Sequence, residues 1–321
     1  MAARIVVTRL LPEPALELLA STGDVWLSPH DRPMDTAELH AAVAGADAVV
    51  TLLHDRVDDA FIDAAGPGLR VVANVAVGYD NIDVAACRQR SVVCTNTPGV
   101  LVEATADIAM ALILVSTRRI GEAERAIRAR TPWSWGMFFM LGSGLQDKTL
   151  GIVGLGQIGA ATARRARAFG MRIAYAGRRR ADPEVERELA ATRLELDELL
   201  ATADVVSIHT PLNEATRHLI DARRLALMRP AAYLVNTSRG PVVDEAALAR
   251  ALRDGTIAGA GLDVFEREPA VDPGLLELEN VVLIPHLGSA TIETRTAMAV
   301  LAARNVAAVL AGDPPPTPIA G

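Results

Sequence analysis

Apolar, β-branched runs alternate with helix-length stretches along almost the whole chain. The runs at 4–8, 48–52, 70–74, 92–95, 150–153, 172–175, 204–209, 233–237, 258–264 and 281–284 read as strands. Stretches such as 14–20, 37–43, 245–252 and 291–310 read as helices. Alternation of this kind predicts parallel sheets covered by helices on both faces. The runs are continuously apolar, as strands buried on both faces are. Thr97-Pro98-Gly99 reads as a hinge leading into one long helix over 100–130. The last helical pattern ends at Gly312, and the tail Asp313-Pro-Pro-Pro-Thr-Pro318 cannot continue it.

The run at 150–153 leads into Gly154-Leu155-Gly156-Gln157-Ile158-Gly159, followed by a helix-forming stretch. Strand, glycine-rich turn and helix together make a dinucleotide fingerprint. Gly154 permits the tight turn, Gly156 lets the backbone approach a pyrophosphate, and Gly159 lets the helix pack on the strand. The helix N-terminus then offers N–H groups to the phosphates. A fingerprint normally follows the first strand of its own domain, so the residues before it form a separate α/β unit.

The next strand sets the cofactor. An NAD site places an acidic residue about 20 positions past the fingerprint. Here that strand ends in Gly177-Arg178-Arg179-Arg180. Glycine removes the charge that would repel a 2′-phosphate, and arginine can grip that phosphate with parallel hydrogen bonds. The expectation is NADP(H) in preference to NAD(H), with Arg178 and Arg179 on the phosphate and Arg180 in solvent.

Composition narrows the class. Half of the 321 residues are hydrophobic, which supports a large core. A net charge of −7 provides no electrostatic footprint for nucleic acid. The longest apolar run, 108–115, is too short to span a bilayer, and the N-terminus goes straight into a strand pattern. Cys87 and Cys94 lack metal-ligand spacing. The chain reads as a cytoplasmic enzyme with no metal, nucleic-acid or membrane partner.

Three residues follow strands in the second half: Arg239, Glu268 and His286. Loops at the carboxyl ends of strands carry the ligands of open α/β sheets. Reduction of a 2-oxo acid needs a hydride at the carbonyl carbon and a proton at its oxygen. A histidine can supply that proton near neutral pH, and a carboxylate can orient its ring. An arginine can bind the substrate carboxylate and polarise the carbonyl. His30, His40 and His218 fall in polar or helical stretches, whereas His54 and His209 at strand ends are weaker rivals.

Several ordered motifs carry a resemblance over nearly the whole chain. They include Val77-Gly-Tyr-Asp-Asn-Ile-Asp83, Asn96-Thr-Pro-Gly99, His209-Thr-Pro-Leu212, Asn236-Thr-Ser-Arg-Gly240, Gly261-Leu-Asp-Val-Phe265 and Pro285-His-Leu-Gly288. With the fingerprint, they make the chain resemble the D-isomer-specific 2-hydroxyacid dehydrogenases. Within that family it is most similar to the glyoxylate/hydroxypyruvate and 2-ketogluconate reductases.

The resemblance implies an α/β fold of two doubly wound, Rossmann-like domains. The cofactor domain, 100–286, would be inserted into a flavodoxin-like substrate domain, 1–99 plus 287–321. It implies Arg239 on the substrate, Glu268 paired with His286, and His286 as acid/base. Backbone around Ala76, Val77 and Gly78 would cradle the substrate carboxylate, and Leu53 would line its pocket. Thr105 and Asp263 would lie near the nicotinamide, and Gly288 would also bind the cofactor. Leu155, Gln157 and Ile158 would join the glycines in binding the cofactor, as would Gly177. Pro211 would border the adenine, with His209, Thr210, Thr216, Thr237 and Ser238 also at the cofactor. A small 2-oxo or 2-hydroxy acid substrate and a homodimer follow. The segment Thr131–Met140, with Trp133 and Trp135, departs from the family pattern where a dimer interface is expected. Oxidation of another substrate such as phosphite, or dinucleotide sensing as in related corepressors, are the alternatives.

Overall fold

The computed structural model describes residues 2–319. Five strands form the first sheet: β1 (Arg4–Val7), β2 (Asp24–Leu27), β3 (Ala48–Thr51), β4 (Val71–Asn74) and β5 (Val93–Thr95). They lie in the order β2-β1-β3-β4-β5, all parallel. This is the flavodoxin-like order. Seven more form the second sheet: β6 (Thr149–Val153), β7 (Arg172–Ala176), β8 (Thr192–Arg193), β9 (Val205–Ile208), β10 (Tyr233–Asn236), β11 (Gly259–Leu262) and β12 (Val281–Leu283). Their order is β12-β11-β10-β9-β6-β7-β8, again all parallel. Counted from β6, this is the doubly wound dinucleotide-binding order extended by one strand.

The apolar runs mark ten of these strands. The two they miss, β2 and β8, stand at sheet edges. β2 exposes alternate residues, and β8 is two exposed residues long. An edge strand has no second neighbour, so nothing demands a continuous apolar run. The expected single helix over 100–130 is also two, Val102–Thr117 and Ile120–Arg128. The Thr117 carbonyl, which would accept the next helical N–H, takes that of Ser143 instead at 2.7 Å. The loop sits so close that a Cβ on Gly142 would be 2.4 Å from Thr117 O. Arg119 turns the chain at φ +54°.

The chain divides into two compact units. One holds the described residues up to Leu101 and those from Ala290 onward; the other is Val102–Ser289. These breaks fall two to three residues from the expected boundaries of 99/100 and 286/287. Residues 287–289 stay with the second unit because Asp263 takes the N–H groups of Leu287 and Gly288. In the first unit, Val6, Val49 and Val72 face helices Thr36–Val43, Asp59–Ala65 and Val84–Gln89. Ile5, Val7, Val50 and Val71 face Glu13–Thr22 and the last helix, Ile292–Ala311. In the second, Leu150 and Ile152 face Val102–Thr117 and Gln157–Ala168, while Val206 and Leu234 face Leu196–Thr202 and Glu245–Arg253. Each such fully buried side chain contributes about 1.5–3 kcal/mol. No helix among the described residues is long and apolar enough to cross a membrane.

Candidate active site

Chain order in the second sheet reverses between β6 and β9. Ligands bind at such switch points, beyond the carboxyl ends of the strands. β6 leads through Gly154-Leu155-Gly156 into helix Gln157–Ala168. Gly154 has φ +97°, and a Cβ there would press on the His209 backbone at 3.0 Å. A Cβ on Gly159 would be 2.4 Å from Gly154 O, so only glycine lets the helix start this close. Ala160 makes the first helical bond, to Gly156 O at 2.8 Å. That leaves the N–H groups of Gln157, Ile158 and Gly159 without a helical acceptor. Gly156 and Gln157 are exposed, and a Cβ on Gly156 would meet nothing within 4 Å. This chain therefore has the open, N–H-lined turn that a pyrophosphate requires.

Across the switch point, β9 ends at His209-Thr210-Pro211. His209 shares a 2.8 Å hydrogen bond with Ser207 Oγ, and burial pushes its imidazole down to about 4. It is neutral at pH 7 and cannot rival His286 as a proton donor. Thr216 spends its hydroxyl inside the same loop, on Pro211 O at 2.7 Å. At the end of β7, Gly177 is followed by exposed Arg178 and Arg179. Arg180 instead pairs with Glu186 at 2.9 Å. A fourth arginine, Arg193 on β8, donates to Gly177 O at 3.2 Å. Sequence reasoning missed it because a two-residue strand leaves no pattern.

Arg239, Glu268 and His286 follow β10, β11 and β12, three neighbouring strands. His286 Nδ1 lies 2.8 Å from Glu268 Oε2. The other Glu268 oxygen accepts the Phe265 N–H at 3.1 Å. His286 has φ +53°, a left-handed conformation uncommon for a residue with a side chain. Its neighbours hold it there. The His286 N–H donates to Asp263 O at 2.8 Å, and the Asp263 carboxylate accepts from Leu287 at 2.5 Å and Gly288 at 2.8 Å. Thr105 Oγ1 donates to Gly288 O at 3.1 Å. Burial pushes the Asp263 carboxyl up, against the opposing pull of the Leu287 and Gly288 N–H groups and His286. Thr105, Asp263 and Gly288 thus form one clamp on the loop that carries His286.

The Arg239 turn is built by Asn236, which the sequence reading did not single out. Its Oδ1 accepts from Ser238 N and Oγ, and its Nδ2 donates to Arg239 O at 2.9 Å. Arg239 in turn donates to Ser238 O at 2.8 Å. Thr237 Oγ1 is buried with no hydrogen-bond partner. Gly240 then meets the loop after β11 backbone to backbone: a Cβ there would lie 1.8 Å from Phe265 C. Behind it, Glu245 and Glu266 clasp each other's N–H groups at 3.0 and 2.5 Å.

In the first unit, Leu53 and exposed His54 follow β3, and Ala76, Val77 and Gly78 follow β4. All three carbonyls of 76–78 are held from within the protein. Thr97 N donates to Ala76 O at 2.9 Å, Asn96 Nδ2 to Val77 O at 2.8 Å and Asn74 Nδ2 to Gly78 O at 3.1 Å. The Val77 and Gly78 N–H groups donate to no acceptor among the described residues. Asn81 ties the two loops together, donating to Leu52 O and Asp55 O and meeting Asn74. Fixed carbonyls and open N–H groups suit a small anion.

Residues 102–289 match the family model over 110–288, described as "D-isomer specific 2-hydroxyacid dehydrogenase, NAD binding domain". A glyoxylate reductase of Thermococcus litoralis is 46% identical over 98% of this chain and 96% of its own length. A glyoxylate reductase of Paecilomyes thermophila has a solved structure with TM-score 0.89 and 35% identity, covering 99% of this chain and 98% of that one. An NADPH-dependent glyoxylate/hydroxypyruvate reductase of Sinorhizobium meliloti, solved with NADP and malonate, has TM-score 0.87 and 36% identity, covering 100% and 97%. The chain belongs to the D-isomer-specific 2-hydroxyacid dehydrogenases, in the glyoxylate/hydroxypyruvate reductase subgroup. It is an NAD(P)-dependent oxidoreductase.

Proposed function

We propose that the protein reduces a small 2-oxo acid, glyoxylate, hydroxypyruvate or 2-ketogluconate, to the D-2-hydroxy acid with NADPH, in the cytoplasm. The observation that carries this is the 2.8 Å His286–Glu268 pair. The ring donates its Nδ1 proton to the carboxylate, which leaves Nε2 to hold the proton that goes to the substrate oxygen. The Arg239 guanidinium polarises the carbonyl. Val77 and Gly78 N–H groups take the carboxylate. When bound, the reduced nicotinamide supplies the hydride to the carbonyl carbon. The pyrophosphate sits on Gly154–Gly159, and Thr237 offers its unpartnered hydroxyl to the cofactor.

Exposed Arg178 and Arg179 beyond Gly177 support the NADPH preference. An acidic residue there would repel a 2′-phosphate, and none stands at that strand end. Initial rates with glyoxylate, hydroxypyruvate, pyruvate and 2-ketogluconate test both parts. Fast turnover with NADPH and at least tenfold lower kcat/KM with NADH is the expected result. Equal efficiency with the two cofactors would refute the preference, and replacing Arg178 and Arg179 by Ser should bring the two together.

The protein is a homodimer in this reading. Trp135 and Phe138 are 78% and 88% exposed, and Trp133 stacks on Phe139 at 6.0 Å. With Met137 and Leu141 they form an apolar arm of the kind that marks an interface. A monomeric mass in solution would exclude it.

A further inference from the structure

We propose that the proline-rich C-terminal segment is a positioning element of the carboxylate cradle, acting through Thr317 and Asn96. This rests on reading 76–78 as the site of the substrate carboxylate. The central cradle carbonyl, Val77 O, is held by Asn96 Nδ2 at 2.8 Å. Asn96 is itself clasped by the C-terminal segment: Thr317 Oγ1 donates to Asn96 O at 2.7 Å, and Asn96 N donates to Thr317 O at 3.3 Å.

Thr317 is fixed from the other side by Asn305, in the last helix. Asn305 Nδ2 donates to Thr317 Oγ1 at 2.7 Å, and Thr317 N donates to Asn305 Oδ1 at 3.0 Å. Asn305 is fully buried, where an unpaired carboxamide would be costly. Both its donor and its acceptor go to Thr317. Gly312, at φ +89°, ends the helix, and Pro314, Pro315 and Pro316 keep the returning chain stiff. Beyond Thr317 the segment pairs with β5, Pro318 opposite Thr95, and Ile319 N donates to Cys94 O at 2.9 Å. Packing alone would need only apolar residues at 305 and 317. The polar relay Asn305–Thr317–Asn96–Val77 instead sets where the cradle N–H groups stand.

Thr317→Val in the full chain removes the hydroxyl at constant shape. At saturating NADPH, KM for glyoxylate and the inhibition constant of oxalate should rise roughly three- to tenfold, with kcat and NADPH affinity within about twofold. Thr317→Ser should restore both. A KM unchanged in Thr317→Val, with only the melting temperature lowered, would overturn the relay and leave the reductase reading intact. No turnover by the unaltered chain with any 2-oxo acid would remove both. A second measurement needs no variant: with NADPH bound, oxalate should slow exchange of the Thr317 and Ile319 amides, and unchanged exchange at both would also overturn the proposal.

Discussion

The loop cluster of the first unit and that of the second are held with opposite polarity. Around 76–78, carboxamides and an N–H donate to backbone carbonyls and leave N–H groups open. Around Glu268 and His286, carboxylates do the holding, while the Asn236 carboxamide builds the Arg239 turn. Asp263, Glu245, Glu266 and Glu268 each accept a backbone N–H. One cluster therefore presents its main chain as the reagent, a positive rim for an anion. In the other, carboxylates occupy the N–H groups of Phe265, Leu287 and Gly288, so the proposed chemistry falls to side chains. The proposed substrate binding and proton transfer call for these different surfaces, and the side chains behind each loop help to produce them.

The comparison makes graded predictions. If side chains carry the chemistry in the second cluster, His286→Ala should lower kcat by about 10²–10⁴-fold with NADPH binding intact, as steady-state rates and cofactor fluorescence would show. Gly240→Ala should come next. Its Cβ would overlap the Phe265 backbone at 1.8 Å, which no rotamer change relieves. A loss of about 3 kcal/mol or more in urea unfolding is expected, and an unchanged midpoint would break the picture of a backbone-locked cluster. In the first cluster, Asn74→Ala removes a donor to Gly78 O and leaves Thr51 Oγ1 without its Asn74 acceptor. The cost there should be smaller, about 1–3 kcal/mol, with KM for the 2-oxo acid raised.

The smallest effect concerns pH. Burial raises the Glu245 carboxyl above its ordinary 4.5. Between 4.5 and that raised value the folded protein holds a proton the unfolded chain has released, so this group's contribution to stability falls as pH rises through the window. Glu245→Gln keeps an acceptor for the Glu266 N–H and does not titrate. Its stability relative to the unaltered chain should increase with pH across that window, and a pH-independent difference in urea midpoints would count against the buried clamp.

Which parts were legible in the sequence follows from the range of the interactions. Central strands announce themselves because burial on both faces demands apolar residues in a row. The Gly154–Gly159 turn and the Asn236–Gly240 turn are local, so their spacing shows. The partners behind them are not local. Asn96 meets Thr317 across 221 positions, and Gly240 needs its missing side chain because of Phe265, in another loop. No single-chain periodicity encodes such a pair. The broken helix after Thr117 has the same origin, since Ser143 and Gly142 decide it from outside the helical pattern.

The first sheet also depends on a helix that follows the whole second unit in the chain. Ala299, Ala302, Ala303 and Val306 cover β1, β3 and β4 on one face. On a ribosome, only Glu13–Thr22 can cover that face until the chain has been synthesised past Val306, while Val102–Ser289 is already complete and free to fold. A product stalled or truncated before that helix would display the half-covered apolar face of the first sheet to the quality-control machinery.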